Sequence, residues 1–220
     1  MGDSPPDIRV DGLARRFGRR WAVAGVSVTL PAGSSWMLTG PNGSGKSTLL
    51  RLLATAIKPH QGQVLWGDRV LWEQRELLRS RIAFLGHALH VWDDLSPREN
   101  LVAWARLGGL SVDPDALLRR VDLDPTRSDP VRALSAGMKR RLAIARLLLK
   151  QPQLALLDEP FGALDPEGRA LVLDVIAELR ARGTTLAIAT HLPKSAAPGC
   201  THHVHLEAGQ IISCGTVGGE

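Results

Sequence analysis

Apolar and polar residues change their spacing along this chain, and the changes divide it into stretches. Residues 8–13 alternate apolar and polar positions as an edge strand does, and residues 22–30 alternate again before Pro31, Ala32 and Gly33 interrupt them. Residues 34–39 are uncharged and short enough for a buried strand, and residues 48–55 carry apolar positions at helical spacing. Residues 63–66 and 70–72 read as a hairpin about Gly67 and Asp68, residues 73–80 as a helical turn or two, and residues 81–85 as another buried strand. From about 86 to 150 strand-like runs vanish, while residues 97–107, 113–121 and 138–150 show helical spacing. Ser96 as N-cap, Pro97 at the first helical position and Glu99 at the third give one of those helices a strong start. Strands over 154–157 and 184–190, joined by a helix over 166–182, restore the parallel α/β rhythm. Two short strands, 202–206 and 210–213, follow around Ala208 and Gly209. The pattern predicts one α/β domain over 1–220. Its core is drawn from about 1–86 and 151–220, with an antiparallel β layer from the first two strands and a helical lobe inserted over about 87–150.

Composition narrows the setting. At 220 residues the chain can bury one sizeable core, and 44% hydrophobic with 22% charged residues is ordinary for a soluble globular protein. No apolar run approaches the roughly 20 residues that cross a bilayer. Residues 1–7 are acidic and Pro-rich, unlike a secretion signal, and two cysteines, Cys200 and Cys214, make no disulfide framework. Cytosolic residence is the expectation. The net charge of +5 fits an anionic membrane face or nucleic acid as partner, but a solvated basic surface explains it as well. Its tightest cluster is Lys139, Arg140 and Arg141. The six tryptophans, beside no tyrosine, fit core or interface positions.

The strongest chemical signal is Gly40, Pro41, Asn42, Gly43, Ser44, Gly45, Lys46 and Ser47, followed by Thr48. It fits G-x-x-x-x-G-K-[ST] between a predicted strand and a predicted helix. Glycines let several N–H groups turn toward one anion, and the helix start adds further unpaired N–H groups. Lys46 is placed to reach the β- and γ-phosphates of a nucleoside triphosphate, and the Ser47 hydroxyl to coordinate Mg²⁺. The apolar residues 154–157 deliver Asp158 and Glu159 to a strand end. Asp158 is the candidate for the Mg²⁺ shell and Glu159 the candidate general base for the attacking water. Phe17 either stacks on an adenine ring or fills the core at a strand end. Cys200, His202, His203 and His205 look like a metal cluster. Strand geometry sends Cys200 and His202 to one face and His203 and His205 to the other, which favours a structural strand over a zinc or haem contact.

Leu134, Ser135, Ala136, Gly137 and Met138 form a second helix start, with Ser135 as cap and Gly137 permitting close approach of an anion. Lying shortly before the Asp158–Glu159 strand, this stretch resembles the signature motif of the ATP-binding-cassette (ABC) ATPases. Ala163, Leu164 and Asp165 resemble that family's D-loop, and His191 its switch histidine. The resemblance covers nearly the whole chain and implies a P-loop NTPase core of ABC type that binds ATP and Mg²⁺. It also implies subunits paired head to tail, with the loop around Lys46 of one and the signature helix of the other closing on the same ATP. In such a pair Ser135 and Gly137 would contact the γ-phosphate, His191 would bond the γ-phosphate and the water, and Asp165 would link the two sites. Phe17 falls where the family stacks an aromatic on adenine. Three departures stand out: Ala136 and Met138 replace the family's Gly and Gln, and His87 occupies the glutamine position of the Q-loop, where it could still bond a metal-bound water. Leu85 to His87, Leu134 to Gly137, Arg140 to Leu148 and Asp158 to Asp165 resemble the CcmA-type subunits of cytochrome c maturation, the haem exporter system. The implied activity is ATP hydrolysis at the cytoplasmic face of the inner membrane, releasing a haem-loaded chaperone. Integral-membrane partner subunits would handle the haem, and no nucleic acid would be bound directly. With only a brief run after the last predicted strands, no regulatory domain is expected. The alternatives are the ATPase of another small-molecule or drug exporter, or a soluble ABC ATPase acting on nucleic acid or ribosomes.

Overall fold

The computed structural model describes residues 5–162, 164–191 and 199–217. Strand β1 (Ile8–Phe17) pairs antiparallel with β2 (Arg20–Leu30) on one side and with β4 (Gln61–Trp66) on the other, and β5 (Arg69–Val70) closes a four-stranded sheet of order β2-β1-β4-β5. Both opening strands run further toward their shared turn than alternation alone predicts. Arg15, Arg16, Arg20 and Trp21 continue the ladder although they break the apolar–polar pattern.

A six-stranded sheet of order β10-β9-β3-β8-β7-β6 forms the rest of the framework. Its members are β3 (Ser35–Thr39), β6 (Ile82–Leu85), β7 (Leu154–Asp158), β8 (Thr185–Ala189), β9 (His202–Glu207) and β10 (Gln210–Thr216). The pairs β9-β3, β3-β8, β8-β7 and β7-β6 are parallel, and β10 returns antiparallel to β9. Every residue of β7 and β8 is buried, which explains why those strands read as continuous apolar runs without alternation.

Helix α1 (Lys46–Leu53) follows β3, the single-turn α2 (Arg75–Leu78) precedes β6, and α6 (Pro166–Ala181) joins β7 to β8. Between β6 and β7 the chain makes α3 (Pro97–Gly108), α4 (Pro114–Arg120) and α5 (Ala136–Lys150), which pack on one another. The start of α3 is a capping box: Ser96 Oγ accepts from the Glu99 N–H, and Glu99 returns a carboxylate oxygen to the Ser96 N–H at 2.8 Å. One apolar core lies between the six-stranded sheet and α3 to α6, and contains Leu101, Leu142, Leu157 and Ile176. The other lies between the two sheets around α1, and contains Leu13, Trp36, Leu50 and Leu156. Among the described residues no helix is long and apolar enough to cross a membrane.

One reading from charge is corrected. Arg140 and Arg141 are only 7% and 8% exposed, so Lys139, Arg140 and Arg141 do not form a solvated basic patch. Helix α5 is buried on most of its circumference, and both guanidinium groups turn inward to backbone or carboxylate oxygens. Nothing in the sequence spacing separates an inward arginine from an outward one.

Candidate functional site

Four parallel strands end on the same edge of the sheet, and each passes a polar group to it: the loop 40–45 after β3, Asp158 and Glu159 at β7, His191 after β8, and His87 after β6. Ligands of open parallel sheets gather at such carboxyl ends, where loops diverge and helix starts point inward. A pocket of about 340 Å³ lies here, lined by residues 42–48, His87, Glu159 and His191, with Phe17, Arg20 and Ala22 from the β1–β2 hairpin.

The loop needs glycine for two separable reasons. Gly40 has φ +138°, and a Cβ there would sit 2.0 Å from the Leu206 carbonyl oxygen; at Gly45, φ is +109° and a Cβ would sit 2.2 Å from the Ala22 carbonyl oxygen. Both contacts are with backbone, which cannot swing away. Lys46 follows as the first helical residue. Its Nζ donates to the carbonyls of Gly40 at 2.7 Å and Pro41 at 3.1 Å, across the mouth of the loop. Burial lowers its pKa, and the negative charges of Glu159 and Asp158 oppose that shift.

Asp158 is 1% exposed. Its Oδ1 accepts from the Ser47 hydroxyl at 3.0 Å, while Oδ2 is buried with no hydrogen-bond partner. An orphaned buried carboxylate oxygen beside a hydroxyl is a donor set suited to a hard divalent cation, so these residues fit Mg²⁺. Glu159 stands in the left-handed region at φ 48°, an uncommon conformation for a residue with a long side chain. Its Oε1 lies 3.2 Å from His191 Nε2, within ion-pair range but not aligned as a hydrogen bond.

Phe17 is 49% exposed and lines the pocket, so the strand-end core alternative does not hold. The Arg15 guanidinium lies 5.0 Å from its ring centroid. Sequence reasoning passed over Arg20, whose guanidinium reaches toward the Gly43 carbonyl at 3.5 Å and lines the same pocket. It is one arginine in a run of four near a turn, and only the hairpin register brings it to the loop.

The second helix start lies elsewhere. Ser135 caps α5 and accepts from the Met138 N–H at 3.2 Å; Leu134 is buried, Ser135 and Ala136 are exposed, and Gly137 and Met138 are half-buried. None of these five residues lines the pocket of its own chain. Asp165 caps α6, accepting from the Gly168 N–H at 2.8 Å, and lies 3.4 Å from Arg141 on α5. Ala163 falls outside the described residues.

At the far side of the sheet, β9 begins at His202, so Cys200 lies outside the strand on which its side chain was expected to alternate. Burial pushes the Cys200 thiol up to about 11, which keeps it protonated at neutral pH. His202 stacks on Trp36 at 4.5 Å, and His205 Nδ1 lies 3.0 Å from the Thr39 hydroxyl. Among the described residues, no three His, Cys, Asp or Glu side chains are grouped as a metal ion requires.

A glycine loop closing on a helix start, a carboxylate pair at a neighbouring strand end and a helical insertion between β6 and β7 define a P-loop ATPase cassette. The chain belongs to the ABC transporter family, whose profile matches residues 23–162. It is 43% identical to the cytochrome c biogenesis ATP-binding export protein CcmA of Paramagnetospirillum magneticum, over 87% of this chain and 89% of that one. It is 35% identical to the daunorubicin resistance ATP-binding protein DrrA3 of Streptomyces coeruleorubidus, over 95% of this chain and 68% of the relative. Among solved structures, an ATP-binding subunit of an ABC transporter superposes with a TM-score of 0.85 at 27% identity, covering 95% of this chain and 89% of its own. The chain is an ATPase of ABC type.

Proposed function

We propose that this chain drives an export complex of cytochrome c maturation, hydrolysing ATP at the cytoplasmic face of the inner membrane while integral-membrane partners handle haem. The observation that carries the hydrolytic part is the convergence of Lys46, Ser47, Asp158, Glu159 and His191 at one sheet edge. The cargo rests on the 43% identity to a cytochrome c biogenesis export subunit, and the 35% identity to a drug-resistance subunit keeps another small-molecule exporter as the second reading.

The loop N–H groups between Asn42 and Thr48 and the start of α1 receive the phosphates of ATP, and the Lys46 ammonium moves from the Gly40 and Pro41 carbonyls to the β- and γ-oxygens. Phe17 offers a ring face to adenine. Ser47 and Asp158 would hold Mg²⁺, with His87 placed toward its water shell, and the ion would supply charge neutralisation for the phosphates. Glu159 orients the attacking water and accepts its proton. His191, beside the Glu159 carboxylate, bonds the γ-phosphate and the same water. Leu134, Ser135, Ala136, Gly137 and Met138 lie away from the pocket of their own chain, which supports a reading in which they complete the site of a second copy and Asp165 links the paired sites.

A second concavity supports a membrane partner. A groove of about 810 Å³ is lined by Trp92, Trp104, Leu107 and Leu110 together with Arg79, Arg146 and Lys150, and among the described residues by no carboxylate. Apolar surface rimmed by one sign of charge suits a short partner segment that presents an apolar side chain beside an acidic one.

The deciding experiment isolates tagged Glu159→Gln with ATP from detergent-solubilised native membranes, identifies the co-purifying proteins and records an absorption spectrum. Integral-membrane proteins with a haem band are the expected result. Permease subunits without haem would move the cargo to the drug-type reading, and ribosomes or nucleic acid would overturn transport.

A further inference from the structure

Helix α5 begins at the signature and then sends Arg140 into the interior, five residues after Ser135. Among the described residues its hydrogen bonds go to backbone oxygens, and the nearby Asp158 charge offsets part of its burial without a hydrogen bond to the carboxylate. One terminal nitrogen donates to the Gly86 carbonyl at 2.8 Å; the other donates to the Glu159 carbonyl at 2.9 Å and to that of Asp158 at 3.4 Å. Its Nε is buried with no hydrogen-bond partner. An arginine used simply to stabilise a core would be expected to meet a carboxylate, because a buried cation is otherwise expensive. Here the fork instead spans the ends of two neighbouring strands, β6 and β7, at the points where they release His87 and Glu159.

Glu159 needs such a hold. Its φ of 48° is disfavoured for a residue with a Cβ, and strained positions persist only where neighbours over-determine them. Three bonds fix this peptide: the Glu159 N–H donates to the Ala189 carbonyl at 2.9 Å, and the Glu159 carbonyl accepts from the Gly162 N–H at 3.2 Å and from Arg140. The first ties Glu159 to β8 and the second closes its own turn. Among the described residues, Arg140 is the one that ties it to the signature helix and, through Gly86, to the His87 loop.

We propose that Arg140 is a positioning residue for hydrolysis: it locks the Glu159 backbone and the His87 loop to the signature helix, so the general base stays aligned only while α5 keeps its place against the sheet. The inference rests on Glu159 being the base, and the two can fail separately. Arg140 is buried and does not line the pocket, so its loss acts on turnover and not on nucleotide binding.

The test uses the purified full chain carrying Arg140→Gln, Arg140→Lys, Glu159→Gln and the Glu159→Gln/Arg140→Lys pair. Arg140→Gln should lower kcat at least tenfold while the affinity for ATP stays within twofold. Arg140→Lys should recover little of that loss, since one ammonium cannot bridge Gly86 and Glu159 as the fork does. In the Glu159→Gln background Arg140→Lys should cost nothing more, because residues acting as a unit are not additive. Hydrogen exchange in the absence of nucleotide supplies a readout free of turnover. Peptides covering 85–90 and 158–162 should exchange severalfold faster in Arg140→Gln while those covering β8 stay unchanged. A kcat within twofold of wild type, loss of ATP affinity in step with kcat, full rescue by lysine, or unchanged exchange in both loops would each overturn the proposal. Wild-type hydrolysis by Glu159→Gln would instead remove the base assignment, and the exchange result would then still report whether Arg140 holds the two loops.

Discussion

A buried lysine and a half-buried one show how differently one side chain can be used. Lys46 sits among loop carbonyls with Asp158 and Glu159 near enough to offset part of its desolvation. Lys150 has no such compensation: burial, then the positive charges of Arg146 and Arg79, bring its pKa down to about 8 from an ordinary 10.5. A lysine with a lowered folded pKa destabilises the fold while both states are protonated, below about 8. That penalty is relieved as the pH rises from 8 to 10.5, because the folded chain sheds the proton that the unfolded chain still holds. Lys150→Met should therefore raise Tm at pH 7 by on the order of a few °C. The gain should shrink across that window, and thermal unfolding from pH 7 to 10.5 checks both the sign and the trend. At this scale the sequence was informative where a residue's neighbours in the chain are also its neighbours in space. Lys46 beside its glycine loop is such a case. Arg20 and Arg140 are not, because each reaches a carbonyl more than twenty residues away.

Helices and strands were legible wherever their own residues set the period. The start of α3 could be read residue by residue, since Ser96, Pro97 and Glu99 make their bonds within one turn. Ser96→Ala should cost about 1 kcal/mol and lower Tm by roughly 2–4 °C. ATP affinity should stay unchanged, because neither Ser96 nor Glu99 lines the phosphate pocket. Parallel melting and nucleotide-titration curves separate the two effects. The ends of β1 and β2 were not legible, because charged residues carry the ladder there and cross-strand hydrogen bonding outweighs alternation. The start of β9 was legible at His202, but Cys200, which the alternation argument placed on that strand, lies outside it, because pairing with β3 begins only at His202.

At the scale of the molecule, one chain carries two glycine-containing helix starts in different places. The start of α1 opens into the pocket, and the start of α5 is exposed at Ser135 without lining it. A second copy that brings its α5 to the first copy's pocket uses both. Ser135→Arg should then abolish ATP-dependent pairing in the Glu159→Gln background while leaving nucleotide binding by the single chain intact. Light scattering with and without ATP reads this directly, and undiminished pairing would sink the two-copy site.

The sequence by itself determined the phosphate loop, the carboxylate pair and the order of strands and helices, because each is written in contiguous residues whose chemistry depends on spacing along the chain. The tertiary structure alone decided that Asp158 keeps one buried oxygen without a partner, that Phe17 faces the pocket, and that Arg140 turns inward to bind two strand ends. Those outcomes depend on which strands lie side by side. The six-stranded order arises only when β7 slots between β6 and β8, bringing residues far apart in the chain to within hydrogen-bond reach.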